Sequence, residues 1–475
     1  MVDTPAHIES RGIEIIPEKD RHSSPKEIGK VFFGAQMSYG ALAMGGLPIV
    51  FGLGWMSALI AVVVGNLIGS VAVGLMALMG RKSGTNNTMT SVAYFGLRGR
   101  YIGSFITQVI DLGYFALMVW VASPPLIHTA HIVFGLPENQ LTLTLGVLIV
   151  ALIMLTIAIL GHATVTAWCK FTSYASLICF FILIAFSIRH LHGTPDPHIA
   201  PLALKSFWPT WMLALTVCIS NGISYAPFAS DYSRYTASDS SGSKMFWWVF
   251  LGVGAGSVIS CLCGEILALS VHDPNQASTL MLAHLPIAIL IPVVLIGFVG
   301  NASNAGMLAY NGMLDLQALL FKLSRFQVGL VFSVIGLLIG YFGLIKFNLT
   351  DSIVALCSIV TVLVTPWIVI NLLGYLRQGE RIEPQQLFAF GQHHSRYWYK
   401  SGFNPAAAIT WVIAVVVGML FSNTSIYVGP LSNAAYGVDL SFISAAIVGG
   451  VIYKLLDRRI RYRAVKAERK TESPS

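Results

Sequence analysis

Ser220-Asn221-Gly222-Ile223-Ser224-Tyr225-Ala226-Pro227-Phe228-Ala229-Ser230-Asp231-Tyr232-Ser233-Arg234-Tyr235 closes an apolar run that begins near residue 207. It puts glycine, proline and hydrogen-bonding side chains where a plain lipid-facing helix carries hydrocarbon. Pro227 has no N–H and clashes with the preceding turn, so an unbroken helix through it is costly. Backbone groups freed by a break cannot face lipid, so the segment should line a protein-enclosed cavity. A second stretch, Gly34-Ala35-Gln36-Met37-Ser38-Tyr39-Gly40-Ala41-Leu42-Ala43-Met44-Gly45-Gly46-Leu47-Pro48, has the same character. Interrupted helices at matching places in two halves of a chain point to inverted repeats with a midplane binding site.

The rest of the chain agrees with a membrane setting. It has 475 residues, 55% hydrophobic and 11% charged, with a mean hydropathy of +0.72. Soluble domains carry about 25% charged residues. Disordered, collagen-like and disulfide-scaffold classes are excluded. An outer-membrane barrel is disfavoured because the apolar stretches are continuous and do not alternate. An all-α integral membrane protein remains. Twelve spans are predicted, at 27–53, 57–80, 102–124, 141–161, 171–188, 207–230, 245–270, 284–320, 327–345, 351–375, 405–424 and 439–456. The interrupted stretches fall in the first and sixth, each opening a block of five. Ser24-Pro25-Lys26-Glu27 is a helix-start signature. The six cysteines form no metal pattern and read as small buried hydrophobes.

The net charge of +8 does not point to nucleic acid, because the basic residues lie between spans and in the tails. With the N-terminus inside, 26 of the 29 Lys and Arg fall on the inner face, and only Arg189, Lys205 and Lys346 fall outside. That asymmetry predicts both termini in the cytoplasm and a multi-pass protein of the cell membrane. The polar N-terminal stretch has no apolar h-region and reads as a cytoplasmic tail. The expected organisation is a tail (1–26), a first five-helix repeat (27–190), a second, inverted one (206–375), a cytoplasmic loop (376–404), two added helices (405–456) and a basic tail (457–475).

Several motifs resemble a known family. Arg11-Gly12-Ile13-Glu14, with Ile16-Pro17-Glu18 and Arg21, is similar to the N-terminal tail of bacterial purine–cytosine permeases. Gly65-Asn66-Leu67-Ile68-Gly69 and Phe95-Gly96-Leu97-Arg98-Gly99 resemble further signatures of that group. The most specific match is Tyr225 to Tyr235, similar to its PYASDYSRY run. Gly300-Asn301-Ala302-Ser303-Asn304 and Tyr310 resemble its eighth helix. The sequence is thereby identified as a member of the nucleobase–cation symporter family, purine–cytosine permease branch, which includes hydantoin transport. The resemblance implies a LeuT-like fold of five plus five helices, discontinuous helices 1 and 6, two further helices, and cation-coupled import of a nucleobase. There are departures. Ser91-Val92 stands where relatives have Ser-Arg. Tyr114 and Met118 stand where many relatives have Trp and, four residues later, Gln or Asn. An aromatic is kept and an edge-reading amide is lost.

A nucleobase is flat, uncharged and dense in donors and acceptors. Its site needs aromatic faces, worth about 1–3 kcal/mol per base, and amides for its edges, because unpaired buried polar groups are costly. Tyr114 and Tyr225 are the stacking candidates. Packing aromatics are the alternative for both. In the eighth span Asn301, Asn304, Asn311 and Asp315 share one helical face. Asn304 matches the family's substrate-pairing Asn, whereas Asn311 reads better as an interhelical hydrogen-bonding group. Backbone around Ser38, Tyr39 and Gly40 is expected to face the ligand, and Met118 is counted among the substrate-binding positions. Gln36, Asn221 and Asn301 lie by the breaks, as ligand contacts or as caps of freed backbone groups.

The coupling ion is read from what the eighth span lacks. Sodium-coupled relatives carry two hydroxyls about one turn before the Asn. Here Pro286 to Gly300 contains no Ser or Thr, and Phe298 and Val299 hold the matching places. Proton coupling is therefore expected, with Asp111 and Glu265 as the coupling candidates. Asp231 reads as structural, near Arg234. No metal or cofactor is expected. A sodium-driven carrier of a related heterocycle (allantoin, hydantoin, uracil or a vitamin) is the alternative. A membrane enzyme is disfavoured, since HExxH, GxSxG and clustered His ligands are lacking. The paired breaks argue against a channel or receptor. A monomer is expected.

Overall fold

The computed structural model describes residues 12–191, 201–271, 287–346, 348–378, 381–390, 392–424 and 426–471. Arg11, residues 284–286 of the eighth expected span and the ends of both expected tails lie outside the described residues. The described chain is helical apart from turns and three isolated bridges. Nine of its helices are long and apolar enough to cross a membrane, among the described residues, and two shorter apolar helices accompany them.

The first expected span is two helices, α1 (Pro25–Gln36) and α2 (Tyr39–Val50). Ser24 and Glu27 form a reciprocal capping box, with Pro25 in the first turn. Met37 and Ser38 leave helical geometry. The Ser38 hydroxyl then accepts the Ala41 N–H at 3.3 Å and restarts the chain as α2. The helices α3 (Trp55–Ser83), α4 (Asn87–Phe95), α5 (Arg100–Phe134), α6 (Gln140–Leu160) and α7 (His162–Ser187) follow. The sixth span is also broken. Here α8 (Phe207–Ile223) gives way to a 3-10 turn at Ala226–Phe228 and then to α9 (Ala229–Ser233). The order closes with α10 (Gly242–Leu269), α11 (Ile287–Leu319), α12 (Arg325–Lys346), α13 (Leu349–Gln378), α14 (Pro405–Phe421) and α15 (Ser441–Thr471).

The interrupted helices occupy the middle of the bundle. α1 and α2 pack against α10, α8 packs against α3, and α11 lies along α5 and α7. Close approach is bought with glycine. A Cβ on Gly69 would stand 2.6 Å from the Gly222 Cα, so α3 touches α8 backbone to backbone just above its break. The same reason explains Gly65, which faces Cys218 and Leu215.

Two features were not expected. α4 is a short, fully buried helix inside what reads as a polar loop. Its start is fixed by Asn86, whose side chain caps the Met89 N–H, and by the Asp231 carboxylate, which accepts the Asn87 N–H at 3.2 Å. The second is a strap. Residues 12–24 lie across the basic end of the bundle, with Ile16 N–H on the Gly84 carbonyl (2.9 Å), Ser23 N–H on Tyr235 (2.9 Å) and Arg234 Nη1 on Gly12 (2.8 Å). The Thr85 hydroxyl adds a 2.6 Å bond to the Ile13 carbonyl. At the same end the loop after α13 is sewn to α4, with Asn404 Nδ2 on the Tyr94 carbonyl at 2.7 Å.

Candidate substrate site

Four elements converge where the two helices break. From the α1–α2 junction come Ser38, Tyr39 and Gly40. From the α8–α9 junction comes Tyr225. α5 supplies Tyr114 and Met118, and α11 supplies Asn301 and Asn304. All eight are buried.

Asn304 is the hub. Its Oδ1 accepts the Tyr225 hydroxyl at 2.8 Å. Its Nδ2 donates to the Ser38 hydroxyl at 3.2 Å and reaches the Met118 sulfur at 3.7 Å. One amide thus touches both breaks and the third expected span. Asn301, one turn earlier, takes the Gly40 N–H on its Oδ1 at 3.2 Å and donates from Nδ2 to the Met118 carbonyl. Gly40 lies hard against the Met118 thioether, so a Cβ there would push the end of that side chain aside. Tyr114 lies beside this group. Its hydroxyl is paired with Ser220 at 3.2 Å and contacts Cys357 of α13 at 3.6 Å.

Tyr39 is placed differently from its neighbours. Its ring packs on Gly297 and its hydroxyl donates to the Val293 carbonyl at 3.1 Å, so its side chain belongs to the α2–α11 interface. Gln36 and Asn221 cap no backbone group. The Gln36 amide has no hydrogen-bond partner among the described residues, and Asn221 Nδ2 bonds the Asn66 side chain at 2.8 Å. Capping falls instead to Ser38 and Asn301. The reason is position: Gln36 is still inside α1, whereas Ser38 is the extended residue whose hydroxyl can reach forward.

The two expected coupling acids lie on opposite sides of this cluster. Asp111, two turns along α5 from Met118, is fully buried, and neither carboxylate oxygen has a partner among the described residues. Glu265 lies near the far end of α10, against the Leu59 backbone at the start of α3.

A model of the permeases for cytosine/purines, uracil, thiamine and allantoin matches residues 15–444. The chain belongs to this family. It is a nucleobase–cation symporter family member and a multi-pass membrane protein. YxlA of Bacillus subtilis (strain 168), which bears a purine–cytosine permease name, is 26% identical over 96% of this chain and 98% of its own. The fold matches Mhp1, a nucleobase–cation symporter family transporter in a closed conformation with bromovinylhydantoin bound. The TM-score is 0.76 at 16% identity, over 97% of this chain and 96% of that one. A Na+-coupled sialic acid symporter in a substrate-bound outward-open state matches with a TM-score of 0.56 at 12% identity, over 92% and 91%. The permease therefore has the LeuT-like transporter fold.

Sequence reasoning missed some groups of the permease. Cys357, which contacts the Tyr114 hydroxyl, carries no signal of its own in the chain, and Ser220, the hydroxyl's other partner, lies in the broken stretch without a pattern that ties it to Tyr114. A hydroxyl set behind the first break was also missed. The Thr172 hydroxyl of α7 is 3.3 Å from the Ser303 hydroxyl and 3.5 Å from the Gly34 carbonyl. Ser176 is buried close by: a Cβ on Gly300 would lie 2.9 Å from its hydroxyl and would also strike the Met37 carbonyl. The available signal was Thr172 and Ser176, four residues apart and so on one face of α7.

Proposed function

We propose that the permease imports a nucleobase, cytosine or a purine, by proton symport and alternating access. The bonding of Asn304 to Tyr225 and Ser38 carries this reading. It sets a donor and an acceptor side by side, one of them on the Tyr225 hydroxyl, at the meeting point of both helix breaks. A base edge presents the complementary pair, and a buried amide of this kind discriminates strongly against molecules lacking it. Two five-helix units (27–190 and 206–375) of inverted sense, followed by two further helices at 405–456, are the organisation that fits. It gives twelve crossings, with residues 1–26, 376–404 and 457–475 in the cytoplasm of a cell-membrane protein acting as a monomer. No cofactor enters the cycle. Asp111 and Glu265 are the proton-coupling candidates.

The test is counterflow of labelled cytosine in proteoliposomes, challenged with a panel of purines, pyrimidines, allantoin and hydantoins. Competition by cytosine or purines at the lowest concentrations is the expected result. Preference for allantoin or a hydantoin would overturn the nucleobase assignment. A second reading, a sodium-coupled carrier of a related heterocycle, is favoured by one observation. The Thr172 hydroxyl reaches the Gly34 carbonyl and the Ser303 hydroxyl, the Ser176 hydroxyl and the Met37 carbonyl both border Gly300, and oxygen is what sodium requires.

A further inference from the structure

Asn311 and Asp315 complete the polar face of α11 below Asn304, and substrate binding leaves them unused. The register of α5 against α11 shows where they lead. The helices run antiparallel, pinned by Asn301 on the Met118 carbonyl and by Gln108 Nε2 on the Gly312 carbonyl at 2.8 Å. Moving from the substrate cluster toward the basic end, the interface therefore presents Asp111, then Thr107 one turn on, then Asp315. The Thr107 and Thr88 hydroxyls face the Asp315 carboxylate, which also accepts Asn86 Nδ2 at 2.8 Å. Asp111, Thr107, Asn311 and Asp315 are all completely buried. Both Asp111 oxygens, both Asn311 side-chain polar atoms and Asp315 Oδ2 have no hydrogen-bond partner among the described residues. Buried polar atoms with no protein partner carry a desolvation cost, which a bound proton on a carboxylate, or passage of one, relieves.

The charged and titratable neighbours are few. Asp111 is faced by Asp315, Asp231 and the Tyr232 phenol. Asp315 is faced by Asp231 and by the Arg234 guanidinium of the α9 terminus. Among the described residues, Asp111, Asp231 and Asp315 thus lie near one another in a buried interior, with the Arg234 guanidinium facing the last two. Arg234 in turn holds the Gly12 carbonyl of the strap, which places Asp315 at the border between the membrane interior and the basic end.

We propose that Asp315 is the second carboxylate of a proton path, taking the proton from Asp111 by way of the Thr107 hydroxyl and passing it to the basic end of the bundle. The step balances. The O–H bond on Asp111 breaks and restores its carboxylate, Thr107 receives one proton and gives up another, and an O–H bond forms on Asp315. The proposal rests on the proton-coupled reading of transport.

The test uses the full chain in proteoliposomes with labelled cytosine, an imposed proton gradient and a pH dye in the lumen. At one proton per base, a tenfold gradient supports about tenfold accumulation. In D315N and in T107V the ratio should fall to about one and lumen acidification on cytosine addition should vanish, while counterflow continues. D315E should recover both. T107V removes a single hydroxyl at nearly constant volume and serves if D315N fails to fold. If D111N loses gradient-driven accumulation but D315N or T107V keeps it, the path is wrong and proton coupling stands. If the wild type ignores the proton gradient, the coupling reading itself falls. Loss of counterflow together with accumulation in T107V and D315E would mark these side chains as structural and overturn the path.

Discussion

At the scale of single residues, Asn304 decides what the site can read. Its amide is satisfied within the protein, by Tyr225 on one atom and Ser38 on the other. An incoming base must match or replace those bonds. Asn304→Ala should raise the half-saturation concentration for cytosine by about ten- to a hundredfold, the cost of 1–3 kcal/mol for an unmet buried polar edge. Surface expression should be normal, and unchanged uptake kinetics would remove Asn304 from the site. Asn311→Ala is the comparison, with little effect on affinity. Tyr225 has two separable parts. Tyr225→Phe keeps the ring but frees Asn304 Oδ1, so a loss of roughly 1 kcal/mol is expected. Tyr225→Ala also removes a stacking face and should lose about 1–3 kcal/mol more. Equal losses in the two variants would mean that the ring does not stack on substrate.

At the scale of elements, the breaks hold because their neighbours press on them. α3 meets α8 at Gly69 and Gly222, where an added Cβ has no room. Gly69→Val should destabilise the protein by about 1–3 kcal/mol through overpacking, read as a lower melting temperature in detergent. Gly340→Ala, where the nearest atoms stand at an ordinary 3.9 Å, should melt with the wild type. Both breaks were legible in the sequence because proline and glycine change backbone cost locally. The polar face of α11 was legible because four residues share a helical period. α4 was not, since Asn87-Thr88-Met89-Thr90-Ser91 reads as loop, and only caps from Asn86 and the distant Asp231 make it a helix. α7 starts at His162 and not near 171, because a helix with polar residues in its first turns can be buried by neighbours that the linear chain does not show. The Thr172–Ser303 hydroxyl pair joins positions 131 residues apart, and no local pattern reports such a distance.

At the scale of the whole molecule, the coupling ion is the property that separates the two transport readings. Uptake should depend on an inward proton gradient, collapse with a protonophore, and be indifferent to replacing sodium by choline. Asp111→Asn or Glu265→Gln, whichever removes the coupling acid, should abolish accumulation while exchange of internal for external cytosine persists. Sodium-dependent uptake without a response to pH would refute proton symport and move attention to Thr172, Ser176 and Ser303. The strap bears on a different event, the making of the protein. Gly12 and Ser23 leave the ribosome early, yet their partners are Arg234 and Tyr235, some 222 residues later for the Gly12–Arg234 bond. The first six spans must therefore be made before Gly12 and Ser23 find their seat. Until then this segment has its bonds to Gly84 and Thr85 but not those to Arg234 and Tyr235, and a nascent chain halted before Arg234 should be cut there by protease faster than the finished permease. The N-terminal segment is in this sense a seal applied late, a record that insertion has reached at least the sixth span.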